Sequence, residues 1–255
     1  FLALARAITG DHYIGVLTFQ AAAAGLGCIY VAQLTQTLSQ NKTAACLAAF
    51  FYSFYPYFIG QTAMIIEVTL FMTLLAASAY YYVKVADMKS AFFCGVAFSL
   101  TLLTRTMVFP AFLAAVAALF FERRWKQGIL IGAVMALFLT PYFWRNYHID
   151  GSIVPPRSGW NLLQGNCPYS EKTIPKYNPD LLDAYVSKVL QEERPDLLTD
   201  EGLDVAKKTD RFYTAKALEF MRTHPWKTLR LKIKNVFYLF HPHIVPFNSM
   251  GKNTR

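Results

Sequence analysis

Four polar residues in apolar surroundings are the first places to look for chemistry. Arg105 lies in SLTLLTRTMVFPAFLAAVAALFF, residues 99–121, a run otherwise suited to lipid. Glu67 is the one acid in QTAMIIEVTLFMTLL, and Arg145 and Asn146 stand together in LTPYFWRNYHIDG. An arginine at mid-bilayer costs roughly 2.5 to 3.5 kcal/mol or more, so a guanidinium in such a run needs a partner or a route to water. Two guanidiniums suit a phosphate, because planar paired donors match its oxygens, and an intramembrane carboxylate is a functional candidate by default. Plainer readings stand beside these. Glu67 could make a helix-packing hydrogen bond or a structural ion pair with Arg105, and Arg145 could be an interfacial anchor next to Trp144.

Other chemistry-bearing residues point elsewhere. His241 and His243 in FHPHIVP flank a proline with no nearby carboxylate, which reads as a plain loop rather than a metal site. Cys28, Cys46 and Cys94 fall in apolar segments and Cys167 in a polar one, without CxxC or metal-ligand spacing, as small core residues do. No ligand set for a metal is visible, and a divalent metal cofactor stays an open possibility. The aromatic runs FFYSFYPYF and YYY suit packing or lipid contact better than a sugar platform. Asn41 in NKT matches a glycosylation acceptor, yet the topology below puts it on the cytoplasmic side.

The elements that must position these residues follow from composition. The chain has 255 residues, 55% hydrophobic and 16% charged, with a mean hydropathy of +0.28, too apolar for an ordinary soluble domain of this size. Its net charge of +9 comes from short basic clusters between apolar blocks, where they act as topology signals and headgroup contacts and argue against nucleic acid as a partner. The expected fold is all-α: a polytopic membrane helical bundle with an extracytoplasmic helical loop.

Apolar segments fall at about 14–38, 44–60, 63–83, 91–104, 107–121 and 128–144. Reading 91–121 as two short helices with a turn at Arg105 puts Lys42, Lys84, Lys89, Arg123, Arg124 and Lys126 on one side, as the positive-inside bias requires. That reading sets Arg105 at the outer face, and Pro110 just inside the next helix fits a broken geometry. Glu67 is expected about five residues inside its helix, so that Glu67, Arg105 and Arg145 would border one pocket at the outer interface.

The boundaries that result are an outer-face lead-in over 1–13, a transmembrane core over 14–144, an extracytoplasmic region over 145–225, a basic interfacial helix over 226–247 and a tail over 248–255. Within 145–225, NPDLLDAYVSKVLQEERP predicts a helix with Asn178 as N-cap and Pro179 at its first position, stopping before Pro195. A second helix is expected over about 200–222. WKTLRLKIKNVFYLF, residues 226–240, is too short and too basic for a span and suits an amphipathic interfacial helix. FLALARAITG carries no charged lead before its apolar part, which is expected of a chain whose start lies upstream.

In order along the chain, GDHYIGVLTFQAAAAGLGCIYVAQLTQTL, FYPYFIGQTAMIIEVTLFMTLL, LTLLTRTMVFP, PYFWRNYHIDGSIVPPRSGWNLLQGN and FMRTHPWKTLRLKIKNVFYLFHP resemble polyprenyl-phosphate-dependent glycosyltransferases of the C type. That group holds the protein O-mannosyltransferases and the aminoarabinose transferase of lipid A modification. The resemblance implies a multi-pass enzyme of the cell (inner) membrane with its active face extracytoplasmic. It would move a sugar from a polyprenyl-phosphate donor to an acceptor protein, lipid or glycan. It implies Arg105, Arg145 and Asn146 as ligands of the carrier phosphate, Glu67 as a cavity residue, and Asn161, Gly165 and Asn166 of GWNLLQGN as residues closing the substrate site. The family's acidic catalytic loop would precede residue 1, so the catalytic residues are unknown and the chain as given is expected to be inactive. Two other classes carry the same intramembrane charge: a transporter or flippase of a lipid-linked or anionic substrate, and a structural subunit.

Overall fold

A computed structural model describes residues 13–62, 67–151, 153, 158–170, 179–199 and 202–239. Its described residues are helical, with no strand among them, and the protein is an all-α membrane protein. Two compact units divide between Trp144 and Arg145.

The first unit begins with α1 (Tyr13–Ser39), α2 (Lys42–Phe54) and α3 (Pro56–Thr62). The single segment expected over 44–60 is therefore two helices. Pro56 lacks an N–H to continue α2, and its ring drives Tyr55 out of the helical region to φ −67°, ψ 115°. Asn41 opens α2 by accepting the Thr43 and Ala44 N–H groups at 2.8 and 3.2 Å. Its side chain is thus engaged in capping. An Asn41→Ala variant should lower stability by about 1 kcal/mol, read as a drop in melting temperature of the purified protein, while Asn41→Asp should keep most of it.

The bundle continues with α4 (Val68–Val83), α5 (Met88–Thr104), a 3₁₀ turn (Thr106–Val108), α6 (Phe109–Phe121) and α7 (Trp125–Asp150). Asp87 caps α5 through the Lys89 and Ser90 N–H groups. The Ser90 hydroxyl and these amides hold its carboxyl below the usual carboxylate range. Gln40 and Arg123 take positive φ, at 53° and 60°, where α1 and α6 end. α1 and α7 are long and apolar enough to cross a membrane, whereas α4, α5 and the 106–121 stretch are shorter apolar helices. α7 continues past the expected end at 144, so Arg145 and Asn146 are helical residues. The apolar-to-polar change that marked the boundary reports environment, and backbone hydrogen bonding carries on through it.

Side-chain contacts give the directions. The Thr73 hydroxyl donates to the Ala23 carbonyl at 2.8 Å, and Tyr30 meets Tyr81 further along, so α1 and α4 run parallel. Gly27 allows this approach, since a Cβ there would lie 2.6 Å from the Tyr52 hydroxyl and 2.9 Å from that of Thr73. Ser78 and Thr101 share a hydrogen bond at 3.1 Å between α4 and α5. Phe98 and Phe112, equidistant from Arg105 in sequence, stack with centroids 3.9 Å apart, so α5 and α6 form an antiparallel hairpin. Gly95 lets α7 close on α5, a Cβ there falling 2.8 Å from the Val134 Cβ. Val85, Ala91, Cys94, Phe98, Leu102, Phe112, Leu119 and Ile131 form the core between these helices.

The second unit holds α8 (Ser158–Gly165), α9 (Pro179–Glu193), α10 (Asp196–Thr199), α11 (Leu203–Thr223) and α12 (Pro225–Leu239). The predicted helices before Pro195 and near 200–222 are α9 and α11; Asn178 lies outside the described residues. GWNLLQGN forms the helix α8 up to Gly165, with Asn166 just past its end. Its start is capped by the Asp210 carboxylate of α11, which accepts the Gly159 N–H at 2.7 Å and the Ser158 hydroxyl at 3.3 Å. Leu163, Cys167, Leu182, Val186, Leu190, Leu197, Tyr213 and Ala217 make the core. Lys216 links α11 to α9 through Glu193 at 2.6 Å, and that carboxylate, with Glu219 at 3.3 Å, holds its ammonium above the ordinary 10.5.

Candidate functional site

Arg105 stands where α5 stops, in extended backbone at φ −148°, ψ 116° between α5 and the 3₁₀ turn. The run 99–121 is therefore broken at its arginine, and the break turns the chain back. Glu67 stands at the start of α4, in the N-cap position, with no capping hydrogen bond from its side chain. The expectation of Glu67 five residues inside its helix is corrected, since α4 begins at Val68; residues 63–66 lie outside the described set.

These two ends meet. Arg105 Nη2 donates to Glu67 Oε1 at 2.9 Å. A carboxylate beside a helix N-terminus and a guanidinium at a helix C-terminus each lie with the backbone dipole, so both helices favour the charges they carry. Phe71, one turn after Glu67, lies under the guanidinium with its centroid 5.7 Å away. It was not singled out from sequence, although its spacing from Glu67 put both on one helix face. The side chains are 35% and 50% exposed for Arg105 and Glu67 respectively. Such a pair contributes about 0 to 1 kcal/mol to stability. Among the described residues no other hydrogen bond engages the guanidinium, which leaves four of its five N–H donors for an incoming anion.

The same end of the bundle holds an apolar cavity of about 460 Å³. Its walls are Leu17, Ala21, Ala24 and Gly25 of α1, Tyr52 and Ser53 of α2, Phe58, Ile59 and Thr62 of α3, and Val68, Thr69 and Met72 of α4. Val68 and Thr69 directly follow Glu67. A Cβ at Gly25 would meet nothing within 4 Å, so this glycine opens space rather than closing helices together. The helix directions send Lys42, Lys84, Lys89, Arg123, Arg124 and Lys126 to the opposite end, in the connections after α1, α4 and α6.

The remaining sequence-predicted residues belong to the second unit. Arg145 is exposed on α7, and Asn146 is buried, its amide donating to the Ile153 carbonyl at 3.3 Å. Asn161 is an exposed residue of α8, and Gly165 ends that helix with its carbonyl accepting from Lys232 Nζ at 3.3 Å. Asn166 is buried, donates to the Leu162 carbonyl at 2.8 Å, and keeps its Oδ1 without a partner among the described residues. The structure brings Glu67 and Arg105 together and gathers Asn161, Gly165 and Asn166 at α8. No group of three or more His, Cys, Asp or Glu lies together among the described residues, and His241 and His243 fall outside them.

The described residues of the first unit thus form an all-α membrane bundle in which a partly exposed guanidinium–carboxylate pair stands at the same end as an apolar cavity. Residues 1–144 match the family described as dolichyl-phosphate-mannose-protein mannosyltransferase, and the chain belongs to that family of membrane glycosyltransferases. The family implies a lipid-linked sugar donor and an acceptor. No curated protein and no solved structure matches the chain.

Proposed function

We propose that the intact protein transfers a sugar from a polyprenyl-phosphate carrier to an acceptor at the extracytoplasmic face of the cell membrane. The observation that supports this most is the Arg105–Glu67 pair at the hairpin break, next to the apolar cavity and at the end opposite six basic residues. By the positive-inside bias those basic connections face the cytoplasm, which sets Arg105 on the outer side. The guanidinium binds the carrier phosphate through its spare donors and stabilises the charge that grows on the phosphate as the sugar leaves. Glu67 fixes the guanidinium before the donor arrives. The cavity takes the first apolar units of the carrier.

The acceptor hydroxyl needs a general base to take up its proton as it attacks the sugar. On the resemblance alone, Arg145 and Asn146 are further candidates for anion binding, and Asn161, Gly165 and Asn166 for closing the substrate site. Intact protein in membranes, given radiolabelled polyprenyl-phosphate sugar, should pass label to an acceptor. Movement of the label across the bilayer without transfer would establish the flippase class instead. Gly25→Leu should raise the apparent KM for the donor at least about tenfold by filling the space for carrier methylenes, each worth about 0.8 kcal/mol. An unchanged KM in a folded Gly25→Leu protein would remove the cavity from the proposal.

A further inference from the structure

We propose that α12 is a docking face for an anionic phospholipid surface. Its apolar residues Trp226, Leu229, Ile233, Val236 and Phe237 are all exposed, with Trp226 at 81% and Phe237 at 72%. At 3.6 residues per turn these five fall within about 100° of arc. Leu231, on the opposite side, is buried, as are the Thr228 Oγ1 and Asn235 Oδ1 atoms, so α12 already packs through its other face. The exposed stripe is therefore a second face, and nothing among the described residues covers it.

Charge identifies the occupant. Lys227, Arg230 and Lys234 run along one margin of the stripe, and Lys232 lies on the other, donating to the Gly165 carbonyl. No acid occurs anywhere in PWKTLRLKIKNVFYL. An apolar strip bordered by cations, with a tryptophan at its end, matches acyl chains below and lipid phosphates beside them. A second copy of this helix would set the same cations against each other, which disfavours self-association through this face. The inference does not depend on sugar transfer.

The test uses the whole protein in nanodiscs with brominated acyl chains, either all phosphatidylcholine or with a minority of phosphatidylglycerol. Emission from Trp226 is isolated by subtracting a Trp226→Phe variant. Trp226 should be quenched by the brominated chains, and more strongly with phosphatidylglycerol. Removing Lys227, Arg230 and Lys234 as glutamines should weaken docking about fivefold per cation in anionic discs only. Phe237→Asp should abolish the quenching while retaining the melting temperature. Emission indifferent to bromination would overturn the proposal, as would quenching indifferent to both the anionic lipid and the three cations. Cross-linking of the stripe to a second copy or another protein would overturn it too.

Discussion

Arg105→Ala in the intact protein is expected to slow sugar transfer about 10²- to 10³-fold while the melting temperature stays close to wild type. The two halves of this result have separate physical origins. Removing one preorganised donor from a developing anion costs roughly that factor in rate. The ion pair that disappears with it is half open to solvent, with Arg105 and Glu67 at 35% and 50% exposure, and contributes about 0 to 1 kcal/mol to the fold. Arg105→Lys should recover only part of the rate, because a point charge keeps the attraction and loses the planar pairing with phosphate. Glu67→Gln keeps a neutral acceptor beside Nη2 and should affect turnover less than Arg105→Ala. Initial rates at saturating donor, paired with thermal melts, check all three. Transfer by Arg105→Ala at the wild-type rate would leave the pair a purely structural contact.

Gly159→Ala is expected to damage the fold itself, by about 3 kcal/mol at the upper end of overpacking costs. A Cβ at this position would lie 2.1 Å from the Asp210 carbonyl oxygen and 2.7 Å from Thr214 Oγ1. The closest obstacle is backbone of α11, so no side chain can swing aside to make room. The shift would also pull Gly159 N–H from the Asp210 carboxylate that caps α8. Hydrogen exchange over 158–165 and 203–223 should rise sharply relative to the first unit. Gly165→Ala is the contrasting variant, since its nearest neighbour, Lys232 Nζ, lies at 3.8 Å and a helix gains from alanine over glycine. It should fold at least as well as wild type. Equal exchange in Gly159→Ala and Gly165→Ala proteins would show that α8 and α11 do not pack as described.

What could be read from the sequence was what local chemistry controls. The break at Arg105 was visible because a charge interrupts an apolar run shortly before Pro110, and α9 because Pro179 and Pro195 bracket it. The ion pair with Glu67 was one of two plain alternatives for that residue, and the structure contains it. Proline at 56 carried a signal that apolarity masked, since every neighbour in FFYSFYPYF favours the same continuous segment. The helix α8 had no such local signal. Its capping group, Asp210, comes from 51 residues away, and only folding brings it to Gly159. The cavity was invisible for the same reason, being made by the mutual arrangement of four helices whose residues are unremarkable one at a time.

The hairpin on which Arg105 sits is short. α5 has 17 residues and α6 has 13, about 25 and 20 Å of helix, beside α1 with 27 residues and about 40 Å. A hydrocarbon layer about 30 Å thick meets this flank with hydrophobic mismatch, and the least costly response is local thinning of the leaflet. If Arg105 binds a lipid-borne anion as proposed, thinning there would draw headgroups toward the guanidinium and let that lipid reach Arg105 at its own depth in the leaflet.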